Sequence, residues 1–148
     1  MNDRPQARDL LEIARNAFTA EVLPAVPEEL RYTALMIANA MAIAQREIAA
    51  GDAPLRGEFQ RLAALFSADA AIPEGEALRG AVAGYNRRLA NEIRAGRFDG
   101  EECGAMLAHL RRTTEEKLAV SNPRALAAQS SARARRENQP QAGADERG

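Results

Sequence analysis

Between Pro27 and Gly51 the chain reads PEELRYTALMIANAMAIAQREIAAG, apolar on more than one side of a helix. At 100° per residue, Leu30, Ala34, Ile37, Met41, Ala44 and Ile48 fall on one narrow stripe, while Tyr32, Met36, Ala40 and Ile43 cover much of the opposite side. Proline at the start and glycine at the end bound a helix of about six turns. An apolar surface that wide predicts a helix in the middle of a protein or against a partner. Through it runs a polar line: Arg31, Asn39 and Arg46 lie within roughly 80° of one another, interleaved with Leu35 and Ala42.

The same periodicity places four more helices. The first is expected from Pro5 to Val22, with Leu10, Leu11, Ala14, Phe18 and Val22 on its apolar face. Pro24 and Pro27 then enforce an extended link. A third helix, Pro54 to Ser67, turns Leu55, Phe59, Leu62, Leu65 and Phe66 inward. After a loop from Asp69 to Glu76, Leu78, Val82, Tyr85, Leu89 and Ile93 recur at helical spacing as far as Gly96. Asp99 is expected to cap a fifth helix carrying Cys103, Met106, Leu107, Leu110 and Leu118, ended by Asn122 and Pro123. Few β-branched residues, 4% aromatics and abundant alanine agree with closely packed helices. The expectation is all-α: a compact bundle of about five helices over residues 1–126. Residues 127–148 lack any large apolar side chain and are expected to be a disordered polar tail, with room for a helical extension at its start.

Net charge is −1, so no overall field marks the chain for nucleic acid or an anionic membrane. The charge is uneven: +2 from Arg124 onward, −3 before it. The longest apolar run, Thr33 to Ala44, falls short of the 18 to 20 residues, roughly, that span a bilayer. A start without an apolar signal region and a single cysteine, Cys103, lead to the expectation of a soluble cytoplasmic protein.

Reactive constellations do not emerge. His109 and Cys103 are the sole members of their types, six apart and about 240° apart on one helix, which reads against both a metal site and a Cys–His nucleophile. Cys103 reads as small core packing and His109 as a helix-surface residue. No phosphate-cradling Gly-rich motif exists, and no cofactor is expected. Gly80 and Gly84 read as a close approach for a neighbouring helix, with Tyr85, Asn86, Arg87 and Arg88 as an alternative ligand-facing patch. The segment Arg111 to Glu116 reads as an exposed helical face, and Arg133, Arg135 and Arg136 as solvated tail charge. For the Arg31, Asn39, Arg46 line two readings stand. In one, Glu12, Glu92 or Glu47 pairs with the arginines inside the bundle while Asn39 bonds nearby backbone. In the other, the line meets an acidic partner surface or a phosphate.

Three segments carry a resemblance: Asp3-Arg4-Pro5 leading into DLLEIARNAF and EVLPAVPEELRYTALMIANAMAIAQREI; LRGAVAGYNRRLANEIRAGRFD; and MLAHLRRTTEEKLAVSNPRAL. Together they resemble a small bacterial all-helical family catalogued as a domain of unknown function, typically encoded beside an aminoglycoside-phosphotransferase-like kinase and an acyl-CoA dehydrogenase. Some members resemble the small subunit of two-component 4-hydroxyacyl-CoA kinases. The residues bearing the resemblance are Arg4, Pro5, Pro24, Arg31, Asn39, Arg46, Glu47, Asn86, Asn122 and Pro123. Ser121 departs from the alanine expected before Asn122. The resemblance implies a non-catalytic accessory subunit of a kinase acting on hydroxyacyl-CoA in breakdown of levulinate and other 4-hydroxy acids. Arg4, Arg31, Leu35, Asn39, Arg46, Glu47 and Asn86 are the expected partner or ligand interface; Pro24, Pro27, Gly80, Gly84, Asn122 and Pro123 are expected to be structural. A self-contained binder of acyl-CoA or another small molecule, and a homodimeric structural protein, are the alternatives.

Overall fold

Residues 5–137 are described by a computed structural model, and among them every regular element is helical. Helix α1 spans Ala7–Ala17 and opens where the Asp9 carboxylate accepts the Gln6 backbone N–H at 3.1 Å. Its last turns widen into a π-helical segment, Phe18–Val22, where the Thr19 hydroxyl bonds back to the Arg15 carbonyl at 2.9 Å. The link expected to be extended is instead a short 3₁₀ turn, Leu23–Ala25, because the fixed φ of Pro24 also suits a tight helical turn. Val26 is extended before Pro27, as steric conflict with the proline ring requires. Helix α2, Glu28–Ala50, places Glu28 and Glu29 in its first turn, where the helix dipole favours negative charge, and stops at Gly51.

Helices α3 (Ala53–Leu65), α4 (Gly75–Arg94) and α5 (Cys103–Ser121) build the main core. Phe59, Leu62, Ala63 and Phe66 meet Leu78, Val82 and Leu89, with Phe98 and Met106 closing the cluster. Tyr85 joins it edge-on to Phe59 and stacked on Phe66, at centroid separations of 5.7 and 5.8 Å. Ser67 ends α3 with a φ of 50°, in a six-to-one motif where the Ala68 N–H reaches the Ala63 carbonyl at 2.9 Å. Gly96 ends α4 the same way, and a β-carbon there would stand 3.0 Å from an Asp99 carboxylate oxygen.

Several expectations need correcting. Helix α2 does not run through the middle of the protein. It buries only Ala34, Ala38 and Ala42, because these small residues let neighbouring helices approach while the larger side chains point elsewhere. Asp99 does not cap the fifth helix: residues 97–102 form turns, and α5 begins at Cys103. Among the described residues, no neighbouring helix closes on Gly80 and Gly84. A β-carbon at Gly80 would meet nothing within 4 Å, and one at Gly84 only the Arg87 guanidinium at 4.0 Å. The two glycines lie off the Leu78, Val82, Leu89 face that α4 turns to the core.

A sixth helix, α6 (Pro123–Glu137), occupies the start of the segment expected to be a disordered tail. Asn122 both ends α5 and begins α6, its side-chain oxygen accepting the Ala125 N–H at 3.2 Å, and Pro123 takes the first helical position. Alanine-rich sequence sustains the helix with little burial. Residues 138–148 of the expected tail lie outside the described residues.

Candidate functional site

Polar side chains meet inside the α3–α4–α5 body. Glu58 on α3 is 6% exposed. Its Oε1 accepts from Asn86 Nδ2 on α4 at 2.8 Å and lies 4.0 Å from the Lys117 ammonium on α5. One turn along α3, Arg61 forks onto Glu116: Nη1 donates to Oε1 at 3.2 Å and Nη2 to Oε2 at 2.6 Å. Nη2 also reaches the Thr113 hydroxyl at 3.4 Å, and Arg112 Nε donates to Glu116 Oε1 at 2.9 Å. His109, Thr113, Glu116 and Val120 follow at spacings of four, three and four, so α5 presents them on one stripe toward its neighbours.

The electrostatics follow from this packing. Burial alone would push the Glu116 carboxyl up, but hydrogen bonds from Arg61 and Arg112 outweigh it and hold the group below its ordinary value. His109 is 3% exposed. Burial, reinforced by the Arg61 charge, lowers its pKa and favours the neutral ring. The surface role expected for His109 is therefore wrong, and the exposed reading of Arg111 to Glu116 holds for Arg111, Arg112 and Thr114 but not for Thr113, which is buried, or Glu116, which is half-buried.

Next to this network lies a cleft of about 860 Å³ between α2 and the α3–α5 pair. Ile43, Ile48, Leu55 and Val120 supply apolar wall, and Glu47, Glu58 and Lys117 supply charge. Three expected site residues gather here: Glu47 lines the cleft, Asn86 holds Glu58, and Arg46 Nε donates to the Val120 carbonyl at 2.6 Å. The other three described ones, Arg31, Leu35 and Asn39, stand exposed on the outer half of α2. Arg4 lies outside the described residues. Among the described residues, neither Arg31 nor Arg46 is bonded to the acids expected to pair with them. Glu12 accepts from Gln45, and Glu92 lies near Arg88 and Arg97. The alternative patch at residues 85–88 dissolves too, because Tyr85 is in the aromatic core and the Arg88 guanidinium sits 4.1 Å above the Phe66 ring.

Glu58, Arg61, Thr113, Glu116 and Lys117 are functional candidates that periodicity along the chain does not single out. The signal is present as the run Cys103, Met106, His109, Thr113, Glu116, Val120 on one face of α5. Choosing Leu107 and Leu110 as inward positions hides it; both are exposed.

The outer surface of the α1–α2 hairpin differs in character. Leu10 and Ile13 on α1, with Leu30, Tyr32, Leu35, Met36 and Ile37 on α2, are all exposed, Leu35 at 50% and Tyr32 at 74%. No helix among the described residues is long and apolar enough to cross a membrane. Nor do three or more His, Cys, Asp or Glu residues among them converge as a metal site.

Residues 24–125 match the family model described as Domain of unknown function (DUF6285), and the chain belongs to that family. No curated protein and no solved structure matches it.

Proposed function

We propose that this chain is a non-catalytic accessory subunit of an aminoglycoside-phosphotransferase-like kinase acting on hydroxyacyl-CoA, and that it docks through the α1–α2 hairpin. The observation carrying this reading is the exposure of large apolar side chains on both helices of the hairpin: Leu10 and Ile13 on α1, Leu30 and Ile37 on one side of α2, and Tyr32, Leu35 and Met36 on another. Clustered exposed apolar side chains such as Tyr32, Leu35 and Met36 mark sites of association, and tyrosine is a frequent anchor of such interfaces. Arg31 stands beside it, available to an acidic partner. In the polar network inside α3–α5, Glu58 and Glu116 are engaged by Asn86 and Arg61, and among the described residues it offers no activated nucleophile or nucleotide cradle. The resemblance to small subunits of two-component kinases supplies the partner's identity, and its pathway would include the acyl-CoA dehydrogenase. Co-expression with the neighbouring kinase and size-exclusion chromatography test the idea. One co-eluting complex is expected, whereas a kinase fully active and eluting alone would refute it.

The cleft beside Glu58 favours a second reading, a self-contained binder of acyl-CoA or another small molecule. Calorimetry of the isolated chain with CoA thioesters separates the two. A homodimer covering the same apolar surface predicts a doubled mass by light scattering, with no kinase required.

A further inference from the structure

A second cleft, of about 620 Å³, runs between the C-terminal half of α3 and the N-terminal half of α5, remote from the hairpin. Its floor contains His109 and Arg61; Leu65, Phe98 and Ala105 form an apolar wall. Three buried nitrogens there lack a hydrogen-bond partner among the described residues: Nδ1 and Nε2 of His109, and Nε of Arg61. Buried polar atoms in native proteins are nearly always bonded, so the donors among these three orphans constitute a demand for an acceptor. Arg61 Nε–H is a permanent donor, and a neutral imidazole offers one N–H more. The other two nitrogens of Arg61 donate three of their four N–H groups to Glu116 and Thr113, which fixes the guanidinium and leaves Nε without a partner. The rim carries Arg112 and Glu102, whose side chains are 63% and 56% exposed. Glu116 keeps its two bonds from Arg61 when the exposed Arg112 side chain turns away, so Arg112 is free to meet an entering group.

We propose that this cleft binds a small carboxylate with a short apolar tail, its oxygens received by Arg61 Nε–H and a ring N–H of His109, its tail against Leu65 and Phe98. Arg112 turns from Glu116 to add a second positive charge. Two converging cationic side chains select an anion, and the alanine, leucine and phenylalanine wall selects against a fully hydrated one such as inorganic phosphate. Such a ligand also raises the imidazole pKa, because a carboxylate favours the charged ring. It acts there against Arg61 and Lys117, in the same sense as Glu58 and Glu116.

His109 is the sole histidine, so its ring resonances identify themselves in the NMR spectrum of the full chain. Butyrate is the probe, with butyramide and inorganic phosphate as controls. Saturable shifts of the His109 ring by butyrate, together with a raised ring pKa, are expected. Affinity should drop by about tenfold or more in Arg112→Gln, read at the His109 ring, and in His109→Leu, read by calorimetry with butyrate. His109→Leu removes a buried unpaired ring and should fold as well as the parent; Arg112→Gln alters only an exposed side chain and keeps the histidine reporter. Three results overturn the proposal: no saturable shift with butyrate, equal binding of butyramide or of phosphate, or unchanged affinity in both variants. None of these depends on the kinase.

Discussion

Arg46 and Val120 are joined by a hydrogen bond between the α1–α2 hairpin and α5: the guanidinium Nε of Arg46, in α2, donates to the Val120 carbonyl, in the last turn of α5, at 2.6 Å. A helix end leaves its last carbonyls without intrahelical donors and carries partial negative charge, so a cation is favoured there twice over. The α1–α2 hairpin adds only alanines to the buried residues, and a single charged bond therefore matters more than usual.

Replacing Arg46 by alanine should cost about 1–2 kcal/mol in chemical denaturation. Hydrogen exchange should show the loss mainly in α1 and α2, with α3 to α5 nearly unchanged. Uniform loss of protection would contradict a hairpin tied to the core through this bond.

Exposure should decide the outcome of core and hairpin substitutions. Leu62→Ala or Leu78→Ala, both at fully buried positions, should cost about 3 kcal/mol through lost burial and the cavity left behind. Leu35→Ala in the isolated chain should stay within about 0.5 kcal/mol of the parent, as measured by urea titration.

In the complex, the ranking should invert. Tyr32→Ala and Leu35→Ala should weaken association with the kinase by about 1–2 kcal/mol each, read by surface plasmon resonance, without lowering the subunit's own melting temperature. If Leu62→Ala weakens association at full folding while the hairpin variants do not, the docking surface lies elsewhere.

Acid should destabilise the fold in two steps of the same sign. The folded pKa of His109 lies below its ordinary 6.5, so the unfolded chain binds the extra proton first. Stability that is complete above 6.5 is lost as the pH falls through that value toward the folded one. Glu116 behaves likewise below its ordinary 4.5, where protonation releases Arg61 and Arg112. Melting curves across pH 7 to 4, roughly, should show both steps, and His109→Leu should remove the first alone.

Much of the fold was legible because its cues are local. Pro27 and Gly51 bound α2, Gly96 closes α4, and Asn122 with Pro123 separates α5 from α6. The periodic apolar positions of α3 and α4 supply Phe59, Leu62, Phe66, Leu78, Val82 and Leu89 of the observed core, with Leu55, Leu65 and Tyr85 packed against it, while Ile93 is exposed. The Asp99 start failed because a carboxylate before a periodic run is a permissive signal, and here the chain turns once more before α5 begins.

The site was less legible. Arg46, Glu47 and Asn86 do collect around one cleft, yet their acidic and carbonyl partners lie 28 and 74 positions away for Asn86 and Arg46. Spacing along a helix says which residues share a face, not which distant face arrives opposite.

The sequence by itself determined the ends of α2 and α4 and which α3 and α4 faces are apolar, since those depend on backbone sterics and a 3.6-residue period. Tertiary structure alone decided that α2 contributes alanines rather than its large side chains, that His109 is buried, and that Glu58 meets Asn86. Burial and pairing are relations between segments, and no local pattern encodes how three helices choose to lie together.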